Sequence, residues 1–213
     1  MVVGYSRILV LSPHTDDAEL AAGGTIARFA EEGKSIRYVA FSSCDISLSS
    51  GNPRGVLKIE CEKSVQILGL LHQNTTVLDF NVRTFNKQRQ EILDEMIKLK
   101  EEFDPDLVLT PSSHDLHQDH QVIHNEALRA FKMSASIWGY EHPWNNMGFT
   151  TDVFVQLDKA HIENKIAALK NYASQDNKLY FDDEYIRGQA YSRGVQVGFK
   201  YAEAFELLRM LVK

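Results

Sequence analysis

The sequence predicts an α/β fold in which a doubly wound, mostly parallel sheet carries helices on both faces, in a Rossmann-like arrangement. Short, continuously apolar runs are typical of strands that are buried on both faces of a parallel sheet. Segments with helical periodicity alternate with these runs, as they do in βαβ units. The 213 residues are 44% hydrophobic and 24% charged, which is enough for a globular core, and no repeat or linker divides them. We therefore expect one domain over 1–213.

Apolar periodicity and helix breakers justify the individual elements. Arg7–Ser12 has the continuous apolar character of a buried strand. Ile92, Met96 and Leu99 recur at three- or four-residue spacing, and Pro105 separates their helix from the next apolar run. The predicted elements, in order, are strand 7–12, helix 17–32, strand 35–42, helix 56–70, strand 76–78, helix 88–102, strand 106–110, helix 119–132, strands 137–140 and 153–157, and helices 159–172 and 183–193. The assignment of residues 201–207 is ambiguous.

The charge balance and the cysteine usage exclude several classes of protein. The chain has 23 Lys and Arg against 29 Asp and Glu, and this net charge of −6 disfavours a sequence-independent nucleic-acid binder. No apolar stretch approaches the ~20 residues that span a bilayer. The N-terminal apolar run contains Arg7 and soon meets Asp16 and Asp17, unlike a signal peptide. Cys44 and Cys61 form no disulfide framework, so we expect a reducing, cytoplasmic setting with both residues in the core or a pocket wall.

Polar clusters follow two of the predicted strands, at the end of the sheet where parallel strands collect ligands. The first cluster runs from Pro13 to Glu19, and the second runs from Pro111 to His120. Half of the eight histidines, at positions 114, 117, 120 and 124, lie in or beside the second cluster. Each cluster has a structural explanation of its own. Asp16 with Glu19 resembles a capping box, and the second cluster resembles a solvated loop.

Taken together, the two clusters favour a metal site. His14 and Asp17 are three residues apart, so their side chains can converge where the loop becomes a helix, and His117 and His120 repeat that spacing. Two histidines and a carboxylate form a three-ligand set that leaves zinc an open position for water, as in catalytic sites. A structural zinc site would close with four ligands, usually thiolates. Capping does not account for histidines at the partner strand end.

These residues resemble a known enzyme family. The paired motifs are His-Thr-Asp-Asp-Ala-Glu at 14–19, with Gly23-Gly24-Thr25 after it, and His-Gln-Asp-His at 117–120. Further agreement lies at Asp104-Pro-Asp-Leu-Val-Leu, Lys165, Tyr172-Ala-Ser-Gln175 and Tyr201-Ala-Glu-Ala-Phe205. The chain resembles the PIG-L/LmbE-like zinc N-deacetylases, which remove an acyl group, usually acetyl, from amino sugars and their conjugates. The resemblance implies a Zn²⁺ cofactor, a small N-acetylated sugar or conjugate as substrate, and a homo-oligomer.

The resemblance also implies a role for each matched residue. It implies that the zinc ligands are His14, Asp17 and His120 and that Asp16 is the general base for the zinc-bound water. His117 would stabilise the oxyanion and protonate the leaving amine, and Asp119 would orient His117. These roles agree with the chemistry, because zinc lowers the pKa of its water toward ~7, polarises the amide carbonyl and needs one carboxylate and one acid beside it.

The substrate pocket is where the chain departs from the family. Many members carry a substrate-contacting Arg where this chain has Leu57, and Arg54, one turn earlier, is the candidate replacement. Arg83 is a second candidate for an anionic substrate group, with a surface salt bridge as the alternative. The remaining candidate substrate-binding residues are Cys44, His142 and Trp144. The aromatic segment around Trp144 suits a sugar ring or acyl chain, but a core or subunit contact explains it equally well.

We therefore expect an enzyme that hydrolyses an N-acetyl amide and releases acetate and the free amine. Within the enzyme class, the alternative is hydrolysis of another N-acyl or thiol-conjugate amide by the same centre. From another class, the alternative is a non-catalytic metal- or ligand-binding module on the same fold. The enzyme is favoured because a binding module has no use for Asp16 beside a metal-bound water. We expect no nucleic-acid partner and no membrane span.

Overall fold

The computed structural model describes residues 4–48, 52–175 and 178–212. The strands are β1 (Arg7–Ser12), β2 (Ser35–Ala40), β3 (Thr75–Val77), β4 (Leu107–Pro111), β5 (Ser136–Tyr140), β6 (Val153–Leu157) and β7 (Tyr201–Arg209). They form one seven-stranded sheet in the order β3-β2-β1-β4-β5-β7-β6. The pairs among β1 to β5 are parallel, and β7 is antiparallel to both of its neighbours. The predicted mostly parallel sheet is confirmed.

Helices cover both faces of this sheet. The helices are α1 (Asp17–Glu31), α2 (Val56–Ile67), α3 (Arg89–Phe103), α4 (Gln118–Phe131), α5 (Lys159–Leu169) and α6 (Asp183–Gln196). One core lies between the sheet and α1, α2, α5 and α6, and a second core lies between the sheet and α3 and α4. Within the described residues, no helix combines the length and apolar character needed to cross a bilayer.

The continuous apolar character of β1 follows from its position between these two cores. Ile8 and Val10 belong to the first core, whereas Leu9 and Leu11 belong to the second. Successive side chains of a strand point to opposite faces, so a strand that is covered on both faces needs apolar residues at every position. This is why the sequence pattern of Arg7–Ser12 predicts the strand with its observed bounds.

The crevice for a ligand lies at the carboxyl ends of β1 and β4. These two strands are neighbours in the sheet, with β2 on the far side of β1 and β5 on the far side of β4. The chain therefore leaves β1 in one direction and β4 in the other, and the segments that follow them diverge. Such a switch point is where open α/β sheets bind ligands, and both polar clusters of the sequence lie there.

Helix α1 is broken in the middle and is held by the last strand. Ala22 has non-helical backbone angles, with φ −129° and ψ 16°. The backbone N–H groups of Gly24 and Thr25 donate to the carboxylate of Glu203 on β7, at 3.0 and 2.7 Å. Lys165 on α5 donates to the same carboxylate at 2.7 Å. Glu203 thereby caps the second half of α1 from a different element.

The two glycines of α1 allow this close approach. A Cβ on Gly24 would lie 2.6 Å from Cδ1 of Leu157, and a Cβ on Gly23 would lie 2.9 Å from Cγ of Lys165. Real Cβ atoms do not tolerate such contacts. The glycines therefore serve the packing of the helix on its neighbours.

Candidate active site

Side-chain hydrogen bonds to the backbone fix the turn after β1. The Ser12 hydroxyl donates to the carbonyl oxygen of His14 at 2.5 Å and accepts from the N–H of Ala18 at 3.1 Å. The backbone N–H of His14 donates to Oδ2 of Asp17 at 2.9 Å. These bonds bring the His14 and Asp17 side chains together at the start of α1.

His14, Asp17 and His120 converge on one point between β1 and α4. Nδ1 of His14 lies 2.9 Å from Oδ2 of Asp17, Nε2 of His120 lies 3.1 Å from the same oxygen, and the two nitrogens are 3.4 Å apart. Atoms bound to a tetrahedral zinc at ~2.0–2.1 Å are ~3.3 Å from one another. The three atoms therefore have the spacing of three corners of such a site.

A buried carboxylate supports each of the two histidines from the opposite ring nitrogen. Nε2 of His14 lies 3.1 Å from Oδ2 of Asp119, and Nδ1 of His120 lies 2.7 Å from Oδ2 of Asp115. Both carboxylates are buried. Metal-binding histidines usually make this contact, which fixes the ring orientation and raises the basicity of the ligating nitrogen. The donor set and its surroundings therefore fit zinc.

The charge of the cluster also fits a divalent cation. Burial by itself would lower the pKa of His14, but Asp17 and Asp119 outweigh burial and raise that pKa to about 10. For His120 burial again acts to lower the pKa, and Asp17 and Asp115 raise it to about 9. The three carboxylates thus attract two positive charges to this point. A divalent ion supplies the same charge without protonating its ligands.

Asp16 lies on the wall of the pocket beside this cluster. It occupies the N-cap position of α1, but its side chain makes no capping hydrogen bond. The capping interpretation of Asp16 is therefore wrong. Burial, and then the charge of Asp17, raise the pKa of Asp16 above its usual range. Asp16 is thus a half-buried acid among the residues that line the pocket.

His117 is held by the backbone and not by the Asp119 carboxylate. Its Nδ1 accepts a hydrogen bond from the N–H of Asp119 at 3.2 Å, which makes His117 the N-cap of α4. The Asp119 carboxylate instead contacts His14 and accepts from the backbone N–H groups of Arg83 and Phe85. Asp119 thus contacts His117 through its backbone N–H, while the first turn of α4 directs its carboxylate across to β1.

The surroundings of His117 disfavour a second proton on its ring. Burial lowers the pKa of His117, the charges of His120 and His14 lower it further, and the resulting pKa is about 4. With Nδ1 accepting a hydrogen bond, the single proton of the neutral ring is on Nε2. This histidine lines the pocket as a neutral hydrogen-bond donor.

The cluster opens into a pocket of about 290 Å³, and this pocket contains only some of the predicted substrate-binding residues. Cys44, Arg83 and Trp144 line it. Arg54 is not among its lining residues, since it is exposed in the turn before α2, whereas Leu57 contributes to the wall. The proposed replacement of the family arginine by Arg54 is therefore not supported by its position.

His142 lies behind the cluster of His14, Asp17 and His120 and is not among the residues that line the pocket. It is fully buried. Its Nδ1 lies 3.2 Å from Oδ2 of Asp115, and its Nε2 lies 2.9 Å from the carbonyl oxygen of Asp17. Both ring nitrogens are thus engaged, and the expectation that His142 contacts substrate is wrong. Through these two contacts, His142 helps to fix the positions of Asp17 and Asp115.

Several residues of the site were missed in the sequence. Asp115 lies within the second cluster, and its position two residues before His117 was the feature of the sequence that could have identified it. Lys178 and Tyr180 line the pocket from the residues between the Tyr172–Gln175 motif and α6, where the sequence offered no motif. The rings of Tyr180 and Trp144 are stacked, with centroids 4.2 Å apart and an interplanar angle of 11°.

A buried network supports the turn after β1 from below. Glu19 is fully buried and accepts a hydrogen bond from the Tyr38 hydroxyl, while the Tyr172 oxygen lies 2.6 Å from Oε1 of Glu19 and contacts the carbonyl oxygen of Thr15. The Tyr172 and Tyr38 hydroxyls both donate to the Glu19 carboxyl, and these bonds act to lower its pKa. Burial outweighs them and raises the pKa of Glu19 to about 8.

Comparison with known proteins places the chain among deacetylases in sequence. Residues 9–131 match the PIG-L family model, described as GlcNAc-PI de-N-acetylase. The uncharacterized deacetylase YaiS of Escherichia coli (strain K12) is 29% identical over 174 residues, which are 78% of this chain and 90% of that protein. The diacetylchitobiose deacetylase of Thermococcus kodakarensis is 25% identical over 225 residues, which cover 95% of this chain and 83% of that protein.

Solved structures share the fold. The N,N'-diacetylchitobiose deacetylase from Pyrococcus horikoshii superposes with a TM-score of 0.80 at 20% identity, covering 96% of this chain and 84% of its own. GalB, the 4-carboxy-2-hydroxymuconate hydratase from Pseudomonas putida KT2440, gives 0.78 at 22% identity and covers 98% of both chains. The fold alone therefore does not decide the reaction. The matched family segment contains both polar clusters and more than half of the chain, and the protein belongs to the PIG-L (GlcNAc-PI de-N-acetylase) family.

Proposed function

We propose that this protein is a zinc-dependent hydrolase that removes the N-acetyl group from an amino sugar or amino-sugar conjugate and releases acetate and the free amine. The observation that carries the proposal is the cluster of His14, Asp17 and His120, whose ligand atoms are 2.9–3.4 Å apart beside a pocket lined by Asp16 and His117. The relatives named YaiS deacetylase and diacetylchitobiose deacetylase support amide hydrolysis and a sugar substrate.

The division of roles follows from the contacts of each side chain. His14, Asp17 and His120 would hold the metal. When bound, zinc would polarise the amide carbonyl and make water more acidic. Asp16 is the general base, because its carboxylate lies on the pocket wall next to Asp17 and makes no capping hydrogen bond. It accepts the proton of the attacking water and returns it to the leaving amine.

His117 serves as a hydrogen-bond donor in this scheme. Because Nδ1 accepts the N–H of Asp119, the ring proton is on Nε2. From the pocket wall, this N–H donates to the carbonyl oxygen as negative charge develops on it. A donor held in place before the reaction stabilises that charge more in the transition state than in the ground state. The backbone bond to Nδ1 provides this preorganisation.

The pocket wall suits a sugar. Trp144 and Tyr180 form a stacked pair on the wall, and aromatic faces pack well against the apolar faces of pyranose rings. The pocket volume of about 290 Å³ is near the lower end of the ~300–1,000 Å³ typical of ligand sites. A single sugar unit with its acetamide is a suitable occupant, with any larger group outside.

The proposal is tested by acetate release from a panel of N-acetylated sugars, nucleotide sugars and thiol conjugates with the zinc-loaded protein. Asp16→Asn should keep its zinc and lose ~10²–10⁴-fold in kcat, as expected for a general base. His120→Ala should lose the metal itself. Asp94→Asn, an exposed carboxylate on α3, is the matched control and should match the wild type. Undiminished turnover by Asp16→Asn would rule out this mechanism.

The same panel separates the alternatives. Turnover of thiol conjugates alone would place the substrate in that class. Zinc binding without acetate release from any compound would favour the binding module. Retention of zinc by His120→Ala would remove that residue from the ligand set.

A further inference from the structure

Arg83 is a cationic residue that lines the pocket, and the proposed mechanism assigns it no role. We propose that its guanidinium binds an oxyanion of the substrate, a phosphate or a carboxylate. The substrate class is then an N-acetylated amino sugar that carries a negative charge close to the acetamido group. This inference rests on the proposed function and specifies its substrate.

The backbone of Arg83 is held in place by the metal site. Its φ of 68° lies in the left-handed region, which is costly for a residue with a side chain. The Arg83 N–H donates to Oδ2 of Asp119, and the N–H of Phe85 donates to Oδ1 of the same carboxylate at 3.3 Å. Oδ2 of Asp119 also lies 3.1 Å from Nε2 of His14. The carboxylate that positions a predicted zinc ligand therefore positions Arg83 as well.

The guanidinium of Arg83 is unpaired in the described part of the chain. Eight of the ten arginines use their guanidinium on a carboxylate or a carbonyl oxygen within residues 4–48, 52–175 and 178–212. The other two are Arg54 and Arg83, and of these only Arg83 lines the pocket. Arg83 is exposed to solvent and borders the pocket, and strained backbone at such a position is typical of functional sites.

The charges around the pocket place the anion at Arg83. The other cation of the wall is Lys178, for which burial acts to lower the pKa and Asp16 acts to raise it, with a net increase. Asp16 thus acts on the charge of Lys178, whereas no carboxylate among the described residues forms an ion pair with the Arg83 guanidinium. An anion elsewhere in the pocket would face Asp16 and Asp17. The planar fork of a guanidinium matches phosphate and carboxylate oxygens with two parallel hydrogen bonds.

The test compares matched substrates on the zinc-loaded enzyme. The substrates are N-acetylglucosamine, its 1-phosphate, its 6-phosphate and the carboxylate-bearing N-acetylmuramic acid. We expect kcat/KM to be at least ~10-fold higher for one of the charged compounds, and the compound preferred distinguishes phosphate from carboxylate. Arg83→Gln should lower kcat/KM for that compound by ~10–100-fold, mainly through KM, as expected for a charge-assisted pair. Arg83→Lys should restore part of the loss.

The control is Arg54→Gln, which removes the other unpaired arginine outside the pocket and should leave the charged-to-neutral ratio unchanged. Equal losses for charged and neutral substrates in Arg83→Gln, or a wild-type preference for the neutral sugar, would overturn the inference and leave the proposed function standing. If no compound releases acetate, the proposed function fails. In that case calorimetry measures the affinities of the protein for glucosamine 6-phosphate and for glucosamine. The inference expects tighter binding of the phosphate, and equal affinities would refute it.

Discussion

Asp115 and Asp119 contact the two proposed histidine ligands, His14 and His120, from the side opposite the proposed metal position, and their loss should weaken metal binding. Each accepts a hydrogen bond from a ring nitrogen that does not face the cluster. Asp115→Asn and Asp119→Asn should each raise the zinc dissociation constant by ~10–100-fold, the usual cost of losing such a partner. Competition with a chromophoric chelator measures this change, with Asp94→Asn as control. An unchanged dissociation constant in both variants would show that the carboxylates do not support the ligands.

These two carboxylates also show where residue-level prediction stops. The three-residue spacing of His14 and Asp17 was enough to predict their convergence, because it depends only on local geometry. Asp115 and Asp119 lie in one polar segment, and nothing local reveals which histidine each side chain reaches. Asp119 crosses to His14, 105 residues away in sequence. That direction depends on how α4 packs beside β1, which is a tertiary property.

The break in α1 makes a prediction at the level of elements. Glu203 is buried, accepts the N–H groups of Gly24 and Thr25 and pairs with Lys165. Glu203→Leu leaves a buried ammonium and two N–H groups without this acceptor, so the free energy of unfolding should fall by ~3–5 kcal/mol. Urea denaturation measures it.

A double variant separates the two contributions of Glu203. Lys165→Met combined with Glu203→Leu removes the uncompensated charge but still leaves the helix N–H groups uncapped. It should be more stable than Glu203→Leu alone and less stable than the wild type. Equal stability of the single and double variants would mean that charge burial contributes nothing, and that capping accounts for the whole effect.

Elements that depend on local pattern were predicted well, and those that depend on distant pairing were not. β1 and β6 have the predicted bounds, because a short apolar run between breakers defines them. Residues 201–207 were ambiguous, since β7 is antiparallel between β5 and β6 and its partners are remote in sequence. Helix α5 ends at Leu169 and not at the predicted residue 172. The chain leaves the helix early, and Tyr172 then reaches Thr15.

At the scale of the whole molecule, the proposed metal site joins the two clusters that follow β1 and β4, so metal removal should lower global stability. A ligand that binds only the folded state, at a free concentration ~100-fold above its dissociation constant, raises the free energy of unfolding by ~2.7 kcal/mol. For a chain of this length that corresponds to a Tm lower by ~5–10 °C after chelation. Differential scanning calorimetry with and without chelator measures the change. His120→Ala should show no such difference, and an equal response in that variant would place the stabilising metal elsewhere.

The sequence also predicts the oligomeric state and the location of the protein. The homo-oligomer is implied by the family resemblance, and the cytoplasmic location follows from the cysteine usage; both stay predictions. Light scattering of the purified protein tests the first of these.

The left-handed backbone conformation of Arg83 lowers stability at a position where the side chain is proposed to bind substrate. Glycine adopts this conformation without the ~1–2 kcal/mol that a side chain costs there, although it loses ~0.5–1 kcal/mol through the freedom of the unfolded chain. Arg83→Gly should therefore raise the free energy of unfolding by up to ~1 kcal/mol, measurable in urea, while it removes the guanidinium. A clear loss of stability would show that Arg83 is retained for the fold. A gain would mean that the arginine has been retained for substrate affinity although it makes the protein less stable.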